Sequence, residues 1–371
     1  MFRQTLYSDA MSERIKGRGA QSADVPQRFG LDAREQDGDW RDIREAVDGA
    51  PPKLRTTVIA EHPKSVLTFN TSPDLGFDRS VNAYRGCEHG CIYCFARPTH
   101  AFHDLSPGLD FETKLFVKPN AADLLRTAFS RKGYVAKTLA LGTNTDPYQP
   151  IERQYRITRK VLEVCLETRH PVVITTKSDR VLDDQDLLGE LAKLNLVTVV
   201  ISVTSLDPVL SGSLEPRAAS PAKRLAALAC LAERGIPAHC SIAPVIPAIT
   251  DEYLESIVEA SAGAGAHSAS WLLLRLPHEV SPLFREWLDV HFPERAGKVM
   301  AIIRECRGGR DNDPQFFSRM RPQGPWADLF RQRFRLACRR AGFDRSRFGL
   351  DTSHFRSPSL PAPIDAQLSL L

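Results

Sequence analysis

Residues 84–97 read "YRGCEHGCIYCFAR". Three cysteines, Cys87, Cys91 and Cys94, fall within eight positions in a C-x3-C-x2-C spacing, and the next cysteine is Cys165. Thiols this close together in a reducing compartment point to metal rather than to disulfides. Structural zinc takes four ligands and closes its shell, and an iron–sulfur cluster ordinarily takes four cysteines. Three thiols leave one metal position open to a small molecule, which is a catalytic arrangement. His89 is a candidate fourth ligand for zinc, but it sits inside the turn between Cys87 and Cys91, where a shared tetrahedron is strained.

The texture around this loop sets the fold. "KTLALG" (137–142), "PVVITTK" (171–177), "LVTVVISV" (196–203), "PAHCSIAPV" (237–245) and "SASWLLLRL" (268–276) are nearly continuous apolar runs, as strands of a buried parallel sheet are. Helical patterns fill the gaps at 119–133, 155–169, 183–194, 220–235 and 250–265. The first has Pro119 near its start and Gly133 at its end, the usual asymmetry. Strand and helix alternating at this spacing give βαβ units with right-handed crossovers. With one strand just before the cysteines, six repeats emerge. The expected fold is α/β, a partial (β/α)6 TIM-like barrel with an N-terminal extension and a helical C-terminal region. Chemistry in such folds sits at the carboxyl ends of the strands, and the cysteine loop follows the first of them.

Composition fits this organisation. The chain has 371 residues, 42% of them hydrophobic, and a net charge of +4. Residues 1–65 are polar and irregular and are expected to form an extended, partly disordered extension. The core is expected over 66–290, an Arg-rich helical region over 291–357 and a disordered tail over 358–371. Between 301 and 356 there are 13 Arg, no Lys and six acidic residues, a local excess of +7. Arg without Lys favours bidentate contact to phosphate or carboxylate, although "LFRQRFRLACRRAGF" (329–343) is also amphipathic and reads equally as a solvated helix. No signal-peptide run opens the chain, and nothing approaches the ~18–20 apolar residues of a membrane span. The expectation is a soluble, cytoplasmic protein. Cys165, Cys230 and Cys338 lie in helical patterns and read as small hydrophobes.

The spacing of the three cysteines, Tyr93 before the last of them, and their place after a first barrel strand resemble the signature of radical S-adenosylmethionine (SAM) enzymes. Within that superfamily "SVNAYRGCEHGCIYCFAR" (80–97) resembles the group related to spore photoproduct lyase, often labelled DNA-repair-photolyase-like. The resemblance covers roughly residues 60–345. It implies a [4Fe–4S] cluster on Cys87, Cys91 and Cys94, SAM on the fourth iron, a 5′-deoxyadenosyl radical, and an electron donor such as flavodoxin or ferredoxin. It also implies roles for other residues. Lys177 stands where related lyases place a lysine for the SAM carboxylate. Gly142, Thr143, Asn144 and Asp146, in "GTNTDPYQPIE" (142–152), stand near the SAM amino group, though turn chemistry accounts for the same residues. Ser202 and Thr204 are candidates for the ribose, Arg217 for the carboxylate or the substrate, and "IAPVIP" (242–247) for the adenine.

The chain departs from spore photoproduct lyase at two points. That enzyme has a hydrogen-donating cysteine after the second strand, where this chain has "LALGTNTD" (139–146), and a tyrosine after the last cluster cysteine, where this chain has Phe95. Tyr148 and Cys240 are candidate donors by strand position. The expectation is an enzyme acting on nucleic acid, DNA first, but not a thymine-dimer lyase of the spore type. RNA, peptide or small-molecule substrates, and a non-catalytic metal-stabilised DNA-binding module, are the alternatives. The terminus "AQLSLL" (366–371) resembles the bacterial sliding-clamp-binding motif, with Gln367, Leu368, Leu370 and Leu371 as the binding residues. A few apolar anchors on a Pro-rich linker suffice for such a contact.

Overall fold

The computed structural model describes residues 17–24, 55–343 and 349–358. Among them ten strands form two sheets: β1 (Thr57–Ala60), β2 (Leu67–Phe69), β3 (Arg79–Val81), β4 (Tyr84–Arg85), β5 (Lys114–Val117), β6 (Leu139–Leu141), β7 (Val172–Thr176), β8 (Val197–Ser202), β9 (Ala238–Val245) and β10 (Ser268–Leu273). The larger sheet runs β10-β9-β8-β7-β6-β3-β2. From β3 to β10 its six strands pair in parallel and in chain order, and β2 adds an antiparallel edge. Chain-order winding is barrel winding, not the reversal of a doubly wound sheet. This is the expected partial barrel.

The helices are α1 (Leu109–Thr113), α2 (Ala121–Phe129), α3 (Glu152–Tyr155), α4 (Ile157–Thr168), α5 (Gln185–Lys193), α6 (Pro208–Leu214), α7 (Pro221–Glu233), α8 (Leu254–Gly263), α9 (Val280–His291), α10 (Pro293–Glu305) and α11 (Gly324–Arg340). Local chemistry sets their ends. Ser220 caps α7 by accepting from the Lys223 amide, with Pro221 at the first helical position, and Asp207 does the same for α6 through the Val209 amide. Along β7 the burial alternates: Val172, Ile174 and Thr176 are buried, while Val173 and Thr175 are only half-buried. Val172 and Ile174 belong to the core under the helices, with Leu162, Val199, Ile201, Leu228 and Ile257. Val173 and Thr175 face an interior that is not packed solid.

Segments outside the barrel complete it. β1, β5 and β4 form a small sheet that carries the chain into the cysteine loop. Residues 17–24 and 57–60, within the stretch expected to be extended, are thus placed against the core. At the other end α9 runs through position 290, and its Trp287 shares a core with Ile92, Leu214 and Ile303. The open side of the barrel is crossed by the segment after α10. There Arg307 donates to the Leu273 and Leu274 carbonyls, and Arg319 pairs with Asp74 at 2.6 Å. Residues 359–371, including Gln367, Leu368, Leu370 and Leu371, lie outside the described residues. Among the described residues no helix is long and apolar enough to cross a membrane.

Two histidines, His170 buried and His239 half-buried, tie stability to pH. His170 stacks on Phe129 at 4.2 Å, its Nδ1 meets the Pro171 carbonyl and its Nε2 meets the Tyr134 hydroxyl. His239 lies between the Ser268 and Ser270 hydroxyls. Burial pushes both rings down to about 4. A chain that binds protons unfolded and refuses them folded loses stability as pH falls from the unfolded value toward the folded one. Urea titrations between pH 6.5 and 4 should therefore show a loss of roughly 3 kcal/mol per ring, and His170→Phe should flatten its share of the profile.

Candidate active site at the cysteine loop

The loop is a chain of tight turns hung from β4. The Cys87 amide donates to the Phe111 carbonyl, Gly90 N to Cys87 O, Cys94 N to Cys91 O, and Arg97 N to Cys94 O. Gly86 and Gly90 have φ of 72° and 66°, in the left-handed region. A Cβ on Gly86 would sit 2.7 Å from Leu115, and one on Gly90 would sit 2.8 Å from the Glu112 carboxylate. These turns bring the three thiols into electrostatic reach of one another. Cys87 and Cys91 are buried and Cys94 is partly exposed.

Beneath the loop lies an ion pair that no spacing rule suggests. Arg97 and Glu112 are both fully buried and meet at 2.5 Å. Arg97 also donates to the Cys91, Gly90, Pro107 and Gly108 carbonyls. Glu112 accepts the Gly19 and Ala20 amides at 3.0 and 2.8 Å. Gly19 lies so close that a Cβ there would fall 1.8 Å from the Gly90 carbonyl oxygen. The N-terminal segment is therefore part of the floor of the site.

A second network closes over the thiols from the strand ends. Lys177, one residue past β7, places its ammonium 5.7 Å from the centre of the Tyr93 ring. Burial works against its charge, but the Cys91 thiol and the Glu215 carboxylate hold it above the usual lysine range. Glu215 is buried and pairs with Arg224, Tyr93 and Thr204. Burial opposes its ionisation, yet Arg224 and Lys177 bring it down to about 2. Arg224 also donates to the Ser202 carbonyl at 3.0 Å. Burial pushes the Cys91 thiol up to about 12 against the pull of Lys177, and Cys87 moves in the same direction.

The structure brings Tyr93, Lys177 and Thr204 to the cysteines. It engages the other predicted residues differently. Gly142, at φ 85°, is required because a Cβ would meet the Thr175 carbonyl at 2.0 Å. Thr143 and the Asn144 amide bond Asn82. The Asp146 carboxylate is committed to His89, the Thr176 hydroxyl and the Lys177 and Tyr148 amides. It positions Lys177 and is not free to accept from a ligand. Arg217 is exposed and pairs with Glu88 at 3.1 Å. The two donor candidates are turned elsewhere. The Tyr148 hydroxyl donates to Asp184. Cys240 is buried on the helix-covered face of β9, where Ser261 and Cys338 are its neighbours. Thr145 and Gln149, which clamp the Gly86 carbonyl, had no sequence signal beyond their place in a polar loop.

The donor set fits an iron–sulfur group. It offers three thiols and an adjacent ammonium, while Cys165 and Cys240 lie in the barrel core and Cys306 in a separate cluster. Among the described residues no three His, Cys, Asp or Glu side chains are close enough to share one metal ion.

The family model for the radical SAM superfamily matches residues 81–260. An uncharacterized protein of Mycobacterium tuberculosis is 37% identical over 232 residues, spanning 62% of this chain and 68% of its own length. An uncharacterized protein of Methanocaldococcus jannaschii is 29% identical, spanning 62% and 83%. Among solved structures, spore photoproduct lyase complexed with dinucleoside spore photoproduct aligns at a TM-score of 0.55 and 14% identity, over 76% of this chain and 79% of that one. At that identity the likeness is one of fold. The chain belongs to the radical SAM superfamily, whose members are enzymes that use an iron–sulfur cluster and SAM.

Removing Glu112 strands a buried guanidinium, which costs about 3–5 kcal/mol. Glu112→Ala should lose that much in urea unfolding. It should also open the Arg18–Gly19 bond to trypsin, a bond the wild type protects.

Proposed function

We propose that the protein is a radical enzyme acting on nucleic acid. Cys87, Cys91 and Cys94 would hold a [4Fe–4S] cluster, which together with SAM supplies a 5′-deoxyadenosyl radical for hydrogen abstraction. The observation that carries this reading is a half-buried ammonium, Lys177, beside three clustered thiols and no fourth. Lys177 would neutralise a carboxylate brought to that corner. The Glu215–Arg224 pair holds the Tyr93 hydroxyl and keeps the wall rigid. Ser202 and Thr204, at the end of β8, would border a ribose.

Three observations favour nucleic acid. The lyase that shares this fold is complexed with a dinucleoside photoproduct. Phe95, next to Cys94, is 54% exposed, and exposed aromatic rings are stacking platforms for bases. The C-terminal third carries the Arg excess. Phe95 in place of a tyrosine, and the burial of Tyr148 and Cys240 away from the thiols, support a hydrogen return unlike that of the spore enzyme. DNA is the first substrate to test, and the terminal Gln367, Leu368, Leu370 and Leu371 would deliver the enzyme to a sliding clamp.

Anaerobic reconstitution tests the first part. We expect about four irons and four sulfides per chain and 5′-deoxyadenosine on reduction by flavodoxin or ferredoxin. Cys91→Ala should abolish both. Lys177→Ala should keep the cluster but weaken SAM binding at least ~10-fold, the loss of one charge-assisted contact. Stoichiometric zinc with no 5′-deoxyadenosine would instead establish the non-catalytic module. Removal of residues 367–371 should abolish clamp binding in surface plasmon resonance.

A further inference from the structure

The barrel has a second concavity, at the end opposite the cysteine loop. A cavity of about 1460 Å³ opens at the amino ends of β7 to β10. Val173 and His239, second in their strands, and Val200, midway along β8, line one side, and α11 lines the other with Arg331, Arg335 and Arg339. Thr198, whose hydroxyl is buried without a partner, lies in the same wall.

The Arg excess of the C-terminal region is not spread evenly. Arg307 is spent on backbone carbonyls, Arg319 on Asp74, and Arg333 on Asp251 and Glu255. Arg331 pairs with Asp328. Among the described residues no carboxylate pairs with Arg335 or Arg339, and both are exposed. The three cavity arginines recur every fourth residue, so they form one stripe with steps of about 6 Å along the helix. Asp328 is the one acidic residue of α11.

The facing wall is of another kind. His239 is neutral, held between two serines, and Val173 and Val200 are apolar. Phe334 joins them from the helix side. A cationic stripe with Phe334 beside it, facing a neutral wall of Val173, Val200, Thr198, His239, Ser268 and Ser270, matches a chain of phosphates carrying flat bases with hydrogen-bonding edges. A single phosphate leaves two guanidiniums unused. The volume also exceeds the ~300–1,000 Å³ of ordinary small-molecule pockets.

We infer that this amino-end cavity binds a short single-stranded nucleic-acid segment, with phosphates along Arg331, Arg335 and Arg339 and bases against Val173, Val200 and His239. The inference shares the nucleic-acid class of the proposed function but neither its site nor its chemistry. The cavity is a docking site at the amino ends of the strands whose carboxyl ends carry the cysteine site.

The test is fluorescence anisotropy of a labelled thymidine octamer with the full chain, cluster-free and reconstituted. Arg335→Ala with Arg339→Ala should weaken binding about 100-fold, roughly tenfold for each charge-assisted contact. The same pair should reduce the slope of log K against log salt by about 1.4. Arg340→Ala, on the same helix but outside the cavity, should change affinity less than about twofold on the same scale. Ser270→Trp, which fills the cavity without altering charge, should weaken it at least ~10-fold. Equal effects of Arg339→Ala and Arg340→Ala, or normal binding by Ser270→Trp, would overturn the site. Deoxyadenosine monophosphate binding as tightly as the octamer would overturn the single-strand assignment. Octamer binding lost in Phe95→Ala but kept in the double arginine variant removes this site and leaves the nucleic-acid substrate standing. No octamer binding at all, with SAM still cleaved, removes the nucleic-acid class from both.

Discussion

The site depends on one buried ion pair. Arg97 and Glu112 are both shut off from water, and isolated charges in such a place would be untenable. They are tolerable because backbone carbonyls and amides converge on them. The guanidinium gathers four carbonyls from the cysteine loop and from the turn before α1. The carboxylate gathers two amides from the N-terminal segment. Three separate stretches of chain are thereby fixed to one point under the thiols. A loop with glycines in left-handed turns has little rigidity of its own, so its shape comes from beneath.

A second pair, Glu215 with Arg224, does the corresponding work above. Its Glu215 orients Tyr93 and, together with the Cys91 thiol, keeps Lys177 protonated against burial and the opposing charge of Arg224. Asp146 ties the backbone of Lys177 to His89 in the cysteine loop. The ends of β6, β7 and β8 thus reach the loop by charge-assisted contacts, which are shorter and stronger than neutral ones. A site built this way is preorganised: its dipoles are paid for by folding and not by ligand binding.

Much of this architecture was legible in the residues. The five apolar runs are strands because a sheet covered by helices needs β-branched, water-free segments, and a period-2 pattern blurs when the inward face is also largely apolar, as in β7 and β8. The cysteine spacing and Lys177 could be placed because strand ends locate side chains to within a residue or two. What could not be read was pairing across long separations. Arg18 to Ala20 look like part of a polar tail, and only folding brings them under Cys91. Arg307, Arg319 and Arg333 look like a basic surface, yet each is consumed by an internal partner. Asp146 has the chemistry of a ligand acceptor, and only its four contacts show that the fold has already taken it. Cys240 alternates with half-buried neighbours along β9, and the choice of face was invisible until the register with β8 and β10 was known.

The near-contact of Gly19 with the Gly90 carbonyl has a consequence for order of assembly. The amides of Gly19 and Ala20 bond a carboxylate more than 90 positions later in the chain, so the pocket's underside is stitched by partners far apart in sequence. Closing so long a loop has an entropic cost. A nascent polypeptide that has exposed all three thiols but not yet Glu112 has no finished mould to hold them. Maturation of the centre is in this way made to wait for the fold.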